Sequence, residues 1–179
     1  MTVTRVQFRS EVSLKGRKLG GYASVFDQSA DLGSMGNERM AATAFDAALK
    51  TSDTRSLWNH EPSYLLGRVS AGTLRLSTDA HGLEYEVDLP DTTYARDLSE
   101  LVERGDVTGA SFGFVIGDAT WDERHTTRTH TSVDELVDVS PVTYPAYDGA
   151  STETRSLPLT AGLRRSQLIR ARARVHLKG

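Results

Sequence analysis

Cysteine is absent from all 179 residues, which excludes disulfides, thiolate metal sites and a cysteine nucleophile together. Aromatic residues are scarce at 7%, and proline occurs five times. No apolar run approaches the roughly 18 residues that a membrane-spanning helix needs, so no membrane partner is expected. The N-terminal MTVTRVQFRSEV lacks the apolar stretch of a secretion signal. A large excess of one charge sign is missing too, since the formal net charge is −3. What is there is ordinary globular material: 38% hydrophobic, 25% charged, and 15 glycines to serve turns. A chain of this size buries roughly 70% of its unfolded surface and needs no metal or staple to fold. A soluble intracellular domain is the expectation.

The small net charge hides a split. Residues 163–179, LRRSQLIRARARVHLKG, carry six basic residues and no acid, which leaves 15 basic against 24 acidic in 1–162, about −9. Such a tail suits an acidic protein surface, nucleic acid or its own body, and equally a solvated terminus. No aromatic interleaves the arginines, which argues against a nucleic-acid partner.

Hydrophobic patterning predicts an α+β chain, mainly antiparallel β, barrel-like with helices packed on it. Leu19–Phe26 reads as a strand, 27–37 as a loop, and Arg39–Lys50 as a short helix with Met40, Ala44, Ala47 and Ala48 on one side. Thr54–His60 reads as a strand. Leu74 and Leu76, then Leu83, Tyr85, Val87 and Leu89, alternate with polar residues around Asp79–Gly82, a hairpin. Thr93–Arg104 is a helix with Tyr94, Leu98, Leu101 and Val102 on one stripe, capped by Thr92 or Thr93 and ended by Gly105. Two strands follow at Val107–Ile116 and Ser132–Tyr144, separated by a polar stretch, Gly117–Thr131.

The candidate chemistry lies on those two strands. In VTGASFGFVI, Ala110, Phe112, Phe114 and Ile116 form a core face, while Gly109, Ser111, Gly113 and Val115 form a face bare except for one hydroxyl. Glycines in a strand fit the close approach of a ligand, so Ser111 suits an exposed nucleophile. The same pattern also fits a bulged strand on which Ser111 only meets a neighbouring chain. A serine needs a base, usually histidine. His60, at a strand end in LWNH, competes with His81, His125, His130 and His176. An acid must orient the imidazole: Asp138 shares a face with Leu136 and Ser140, with Asp134, Glu135 and Glu61 as rivals. His125 and His130, five apart, do not make a helical two-histidine metal motif. No metal site and no cofactor are expected.

Four segments in order, GYASVF (21–26), LWNH with LLGRV (57–60, 65–69), GASFGF (109–114) and LVDVSPVTYPAY (136–147), resemble the tailed-phage prohead maturation serine protease family. The resemblance runs over about residues 19–148. It implies a fold related to the herpesvirus assemblin-type proteases, a β-barrel surrounded by helices. It also implies a serine endopeptidase that cleaves scaffold protein, or the scaffolding segment of the major capsid protein, inside the procapsid in the host cytoplasm. Residues 1–150 would be the protease domain and 151–179 a polar linker with a basic C-terminal tail. Carried over, the histidine is His60, the serine Ser111 and the acid Asp138, where the family commonly has the longer glutamate. Thr43-Ala-Phe stands where it often has Gly-Ala-Phe.

Backbone N–H groups near Ser111 would form an oxyanion hole that Gly109 and Gly113 leave unobstructed. The tail would direct the enzyme to an acidic scaffold or shell interior, or be removed by self-cleavage. A homodimer stays open. So do two rival classes, a non-catalytic scaffold-binding protein of the same fold and another serine hydrolase such as an esterase. Against the esterase, Gly109-Ala-Ser111-Phe-Gly113 is followed by more strand, not by the helix of a nucleophile elbow.

Overall fold

Alternation of apolar and small residues sets the centre of the molecule. The computed structural model describes residues 3–8, 12–26, 28–31 and 36–144; the expected linker and basic tail, 151–179, lie outside the described residues. In chain order come β1 (Val3–Phe8), β2 (Val12–Lys15), β3 (Lys18–Val25), β4 (Ser29–Asp31), β5 (Asn37–Met40) and the single-turn α1 (Ala48–Thr51). After them come β6 (Arg55–Leu57), β7 (Leu65–Arg68), β8 (Leu74–Thr78), β9 (Gly82–Asp88) and α2 (Thr93–Glu103). The last strands are β10 (Gly109–Ile116), β11 (Ala119–Trp121), β12 (Thr127–His130) and β13 (Val133–Val142).

The strands form a five-stranded sheet, β1-β10-β13-β6-β7, and two four-stranded sheets, β11-β12-β5-β4 and β2-β3-β9-β8. The strand-rich α+β class is as expected. A closed barrel is not found: among the described residues the pairings make three open sheets. The chain leaves one sheet for another at corners instead. At the corner after β7, Thr73 N donates to Arg68 O at 3.2 Å and Arg68 N to Thr73 Oγ1 at 3.0 Å, and the chain then enters β8 of a different sheet.

The core gathers the predicted faces. Ala110, Phe112 and Phe114 of β10 are fully buried; Phe112 stacks on Phe114 at 5.2 Å between ring centroids and meets the edge of Phe45 at 5.4 Å. The β8–β9 hairpin forms where alternation predicts it, with Leu74, Leu83, Tyr85 and Val87 inward. Its turn is closed by Asp79 Oδ1, which accepts from His81 N and Gly82 N. Helix α2 buries Ala95, Leu98 and Val102; each fully buried large aliphatic side chain contributes about 1.5–3 kcal/mol. Thr92 caps it by accepting from Ala95 N, and Gly105, at φ 79°, ends it in the left-handed conformation that glycine adopts freely.

Three expectations fail locally. Most of the predicted helix at 39–50 is not α-helical: residues 37–40 are β5, and turns precede α1. Met40, Ala44 and Ala48 are buried as anticipated and Ala47 is exposed, but the backbone bonds to distant strands, Ala41 N to His130 O and Val133 N to Ala44 O, and tertiary pairing overrides helical spacing. The polar stretch at 117–131 contains β11 and β12. Strand β12 pairs in parallel with β5, and the buried His130 Nε2 lies 3.0 Å from Glu38 Oε2 across that pair. Ser29–Asp31 forms β4 inside the expected 27–37 loop.

Candidate active site

Ser111 and Asp138 meet because β10 and β13 are antiparallel neighbours in a particular register. Ser111 lies opposite Ser140 and Gly113 opposite Asp138. Positions two apart share a face, so these four residues make one patch. The register then shifts: Phe114 faces Leu136, and Val137 is the extra residue of a β-bulge. The bulge corrects the predicted faces. Leu136 and Val139, three apart, both enter the core, whereas Asp138 and Ser140 stay on the patch. Hydroxyls from the segment leading to β6 bind the bulge backbone, Thr54 Oγ1 donating to Leu136 O at 2.8 Å and Leu136 N donating to Ser52 Oγ at 3.0 Å.

Strand β6 runs parallel to β13, with Arg55 beside Asp138. It ends at Leu57, before the predicted end at His60. The chain then turns, with Asn59 and His60 at φ 54° and 58°. That region costs a non-glycine residue on the order of 1–3 kcal/mol. The turn brings His60 over the patch. His60 Nε2 is 2.8 Å from Ser111 Oγ, and Nδ1 is 2.5 Å from Asp138 Oδ2. Ser140 Oγ donates to the same carboxylate oxygen at 2.7 Å.

An ionised carboxylate only accepts. With Asp138 ionised, Nδ1 carries the proton, and Nε2 presents a lone pair toward the Ser111 hydroxyl. The aspartate, one methylene shorter than glutamate, spans the gap because Gly113 opposite it has no side chain: a Cβ there would sit 2.5 Å from Asp138 Oδ1.

The group is closed off. Ser111 is 0% and Asp138 1% exposed, and the His60 side chain is 11% exposed. Ser111 is therefore not the exposed hydroxyl anticipated; β10 is flanked by β1 and β13, and the imidazole lies over it. A carboxylate buried this deeply demands partners, and His60 and Ser140 are two of them.

The predicted oxyanion role finds a different geometry. Gly113 supplies room for the Asp138 carboxylate, and Gly109, the first residue of β10, lies opposite Val142. Between Ala110 and Val115 the backbone has a paired strand on each side, so its N–H groups face neighbouring strands.

The rivals lie elsewhere. Asp134 and Glu135 are exposed. Glu61 binds the N–H and hydroxyl of Ser63, which hold its carboxyl below the usual carboxylate range. His81 meets the Tyr22 ring edge-on at 4.5 Å, His125 is exposed, and His130 is in the core. His176 is outside the described residues. Among the described residues no cluster of His, Asp or Glu could hold a metal, and no helix is long and apolar enough to cross a membrane. Sequence reasoning missed Ser140 as a partner of Asp138, although alternation put both on one face. It also missed Asn59, whose tolerance of left-handed backbone is the signal that could have found it.

No curated protein matches the sequence. The solved structure of the bacteriophage T4 capsid assembly protease, gp21, superposes with a TM-score of 0.53 at 11% identity, over 80% of this chain and 98% of that one. At that identity the likeness is one of fold. A family model described as caudovirus prohead serine protease matches residues 4–162, a span that takes in the GASFGF strand, the LWNH turn and the strand bearing Asp138. The chain belongs to the caudovirus prohead serine protease family.

Proposed function

We propose that this chain is a serine endopeptidase of the Ser-His-Asp type that cleaves scaffold protein, or the scaffolding segment of the major capsid protein, inside the maturing procapsid in the host cytoplasm. The observation that carries this reading is the continuous relay from Ser111 Oγ through both nitrogens of His60 to Asp138 Oδ2, at 2.8 and 2.5 Å. A non-catalytic assembly protein needs no such relay. Family membership and the likeness in fold to the T4 capsid assembly protease support the substrate class. In this reading 1–150 is the protease domain and 151–179 an appended linker and basic tail.

The steps follow from the hydrogen-bond polarity. His60 Nε2 takes the Ser111 proton as Oγ bonds to the scissile carbonyl carbon. The imidazolium is stabilised by the Asp138 carboxylate, which also fixes the reactive tautomer. Collapse of the tetrahedral adduct breaks the C–N bond, and the proton passes from Nε2 to the departing amine. Water, deprotonated by the same nitrogen, then releases the acyl group and restores Ser111. Because Ser111 is 0% exposed, a peptide reaches it only after its cover moves aside.

Co-expression with the cognate capsid and scaffold proteins, read by mass spectrometry, tests the reading. Ser111→Ala and His60→Ala should abolish cleavage, and Asp138→Asn should slow it on the order of 10⁴-fold. Unchanged cleavage by Ser111→Ala would refute it.

A further inference from the structure

Asn59 and His60 are consecutive non-glycine residues in left-handed backbone, at φ 54° and 58°. Such conformations persist only where the surroundings hold them, and they concentrate at functional sites. Here the restraint comes from the end of β13. Asn59 N donates to Pro141 O at 3.0 Å. The Asn59 side chain adds two bonds, Oδ1 accepting from Thr143 N at 2.8 Å and Nδ2 donating to Thr143 Oγ1 at 3.1 Å. A bond from Trp58 N to Tyr64 O at 3.1 Å closes the base of the turn. One short segment, 138–143, therefore bears the carboxylate, the hydroxyl bonded to it and the anchors of the histidine turn. The position of the imidazole relative to its acid is set by a single stretch of backbone.

Building on the reading of His60 as general base, we propose that Asn59 is a positioning residue. Its side chain lashes the His60 turn to Thr143, the residue that follows β13, and so keeps the imidazole between Ser111 and Asp138. Asn59 touches neither Ser111 nor Asp138 in the described hydrogen bonds; it acts through the backbone of its neighbour. It is exposed, so its two side-chain bonds add little to global stability. Their effect falls on the orientation of the ring, which a relay of this kind needs to within about 0.5 Å.

Two substitutions separate positioning from mere folding. Asn59→Gly keeps the left-handed backbone without steric cost and deletes both side-chain bonds. Asn59→Asp keeps the acceptor for Thr143 N, and the Thr143 hydroxyl can turn to donate to it. Proton NMR of the purified full chain should reveal a low-field His60 Nδ1–H signal, slow to exchange, in the wild type. That signal should broaden or vanish in Asn59→Gly and return in Asn59→Asp, while the thermal midpoint barely moves. On a peptide spanning the cleavage site, kcat of Asn59→Gly should fall roughly 10- to 100-fold with KM nearly constant, and Asn59→Asp should recover most of it.

Retention of both the signal and kcat in Asn59→Gly overturns the proposal. So does a loss that only tracks a lowered thermal midpoint and that Asn59→Asp fails to rescue. The NMR arm does not depend on turnover. If Ser111→Ala left cleavage unchanged, the protease reading would fall, while the signal would still decide whether Asn59 positions the ring.

Discussion

Gly113→Ala tests the site with one added methyl group. Its Cβ would sit 2.5 Å from Asp138 Oδ1, where ordinary contact begins at 3.4 Å, so the carboxylate has to give by about 0.9 Å. Retreat of the methyl itself is limited, because Val3 Cγ1 already stands 3.4 Å from it. The carboxylate is not a loose side-chain end either, since Oδ2 holds His60 Nδ1 and the Ser140 hydroxyl. A displacement near 1 Å in catalytic machinery costs on the order of 10²-fold in rate, and overpacking adds about 1–3 kcal/mol of destabilisation.

The assay measures cleavage of the proposed capsid or scaffold substrate together with the thermal midpoint, in two backgrounds. In the wild-type background the substitution should lower kcat roughly 10²-fold. With Asp138→Ala already present, the clash target is gone, and the same substitution should cost less than about 3-fold, the non-additivity expected of residues in contact. Wild-type activity in Gly113→Ala, or an equal loss in both backgrounds, would refute the argument that this glycine exists to admit the carboxylate.

Ser140→Ala removes a hydroxyl bond to a buried carboxylate, worth about 1.5–3 kcal/mol; steady-state kinetics should show kcat down at least roughly 10-fold with KM little changed. Tyr85 is fully buried and its hydroxyl has no partner among the described residues, so Tyr85→Phe should stabilise by about 1 kcal/mol, raising the midpoint by roughly 2–4 °C. Burial also holds the Tyr85 phenol above its ordinary value. The unfolded chain therefore ionises first, and its contribution, intact below about pH 10, is lost as pH rises toward the folded value. Alkaline melts should show the wild type losing more stability than Tyr85→Phe, and parallel curves would contradict this. Gly67→Ala would press its methyl into Val87 Cγ2 and against Thr73 O at 3.1 Å; chemical denaturation should show a loss of about 1–3 kcal/mol, partly recovered by adding Val87→Ala.

Local rules were enough for the β8–β9 hairpin, for α2 with its Thr92 cap, and for the core face of β10, because each depends on side chains a few positions apart. Alternation made Ser111 and Asp138 stand out as bare or oddly polar strand positions, but it left rivals to them and to His60 open, and the family resemblance alone singled out the three. Alternation failed where a distant partner intervened. The parallel pairing of β5 with β12 turned a helical spacing into a strand, and the bulge at Val137 let Leu136 and Val139 share the core while Asp138 stayed on the site. The left-handed turn at Asn59–His60 is signalled locally only by the tolerance of asparagine for that backbone, and the room that Gly113 leaves for a short carboxylate and the burial of Ser111 have no local signature at all. Each is a distance between chain segments, and only the packing of the whole chain creates such distances.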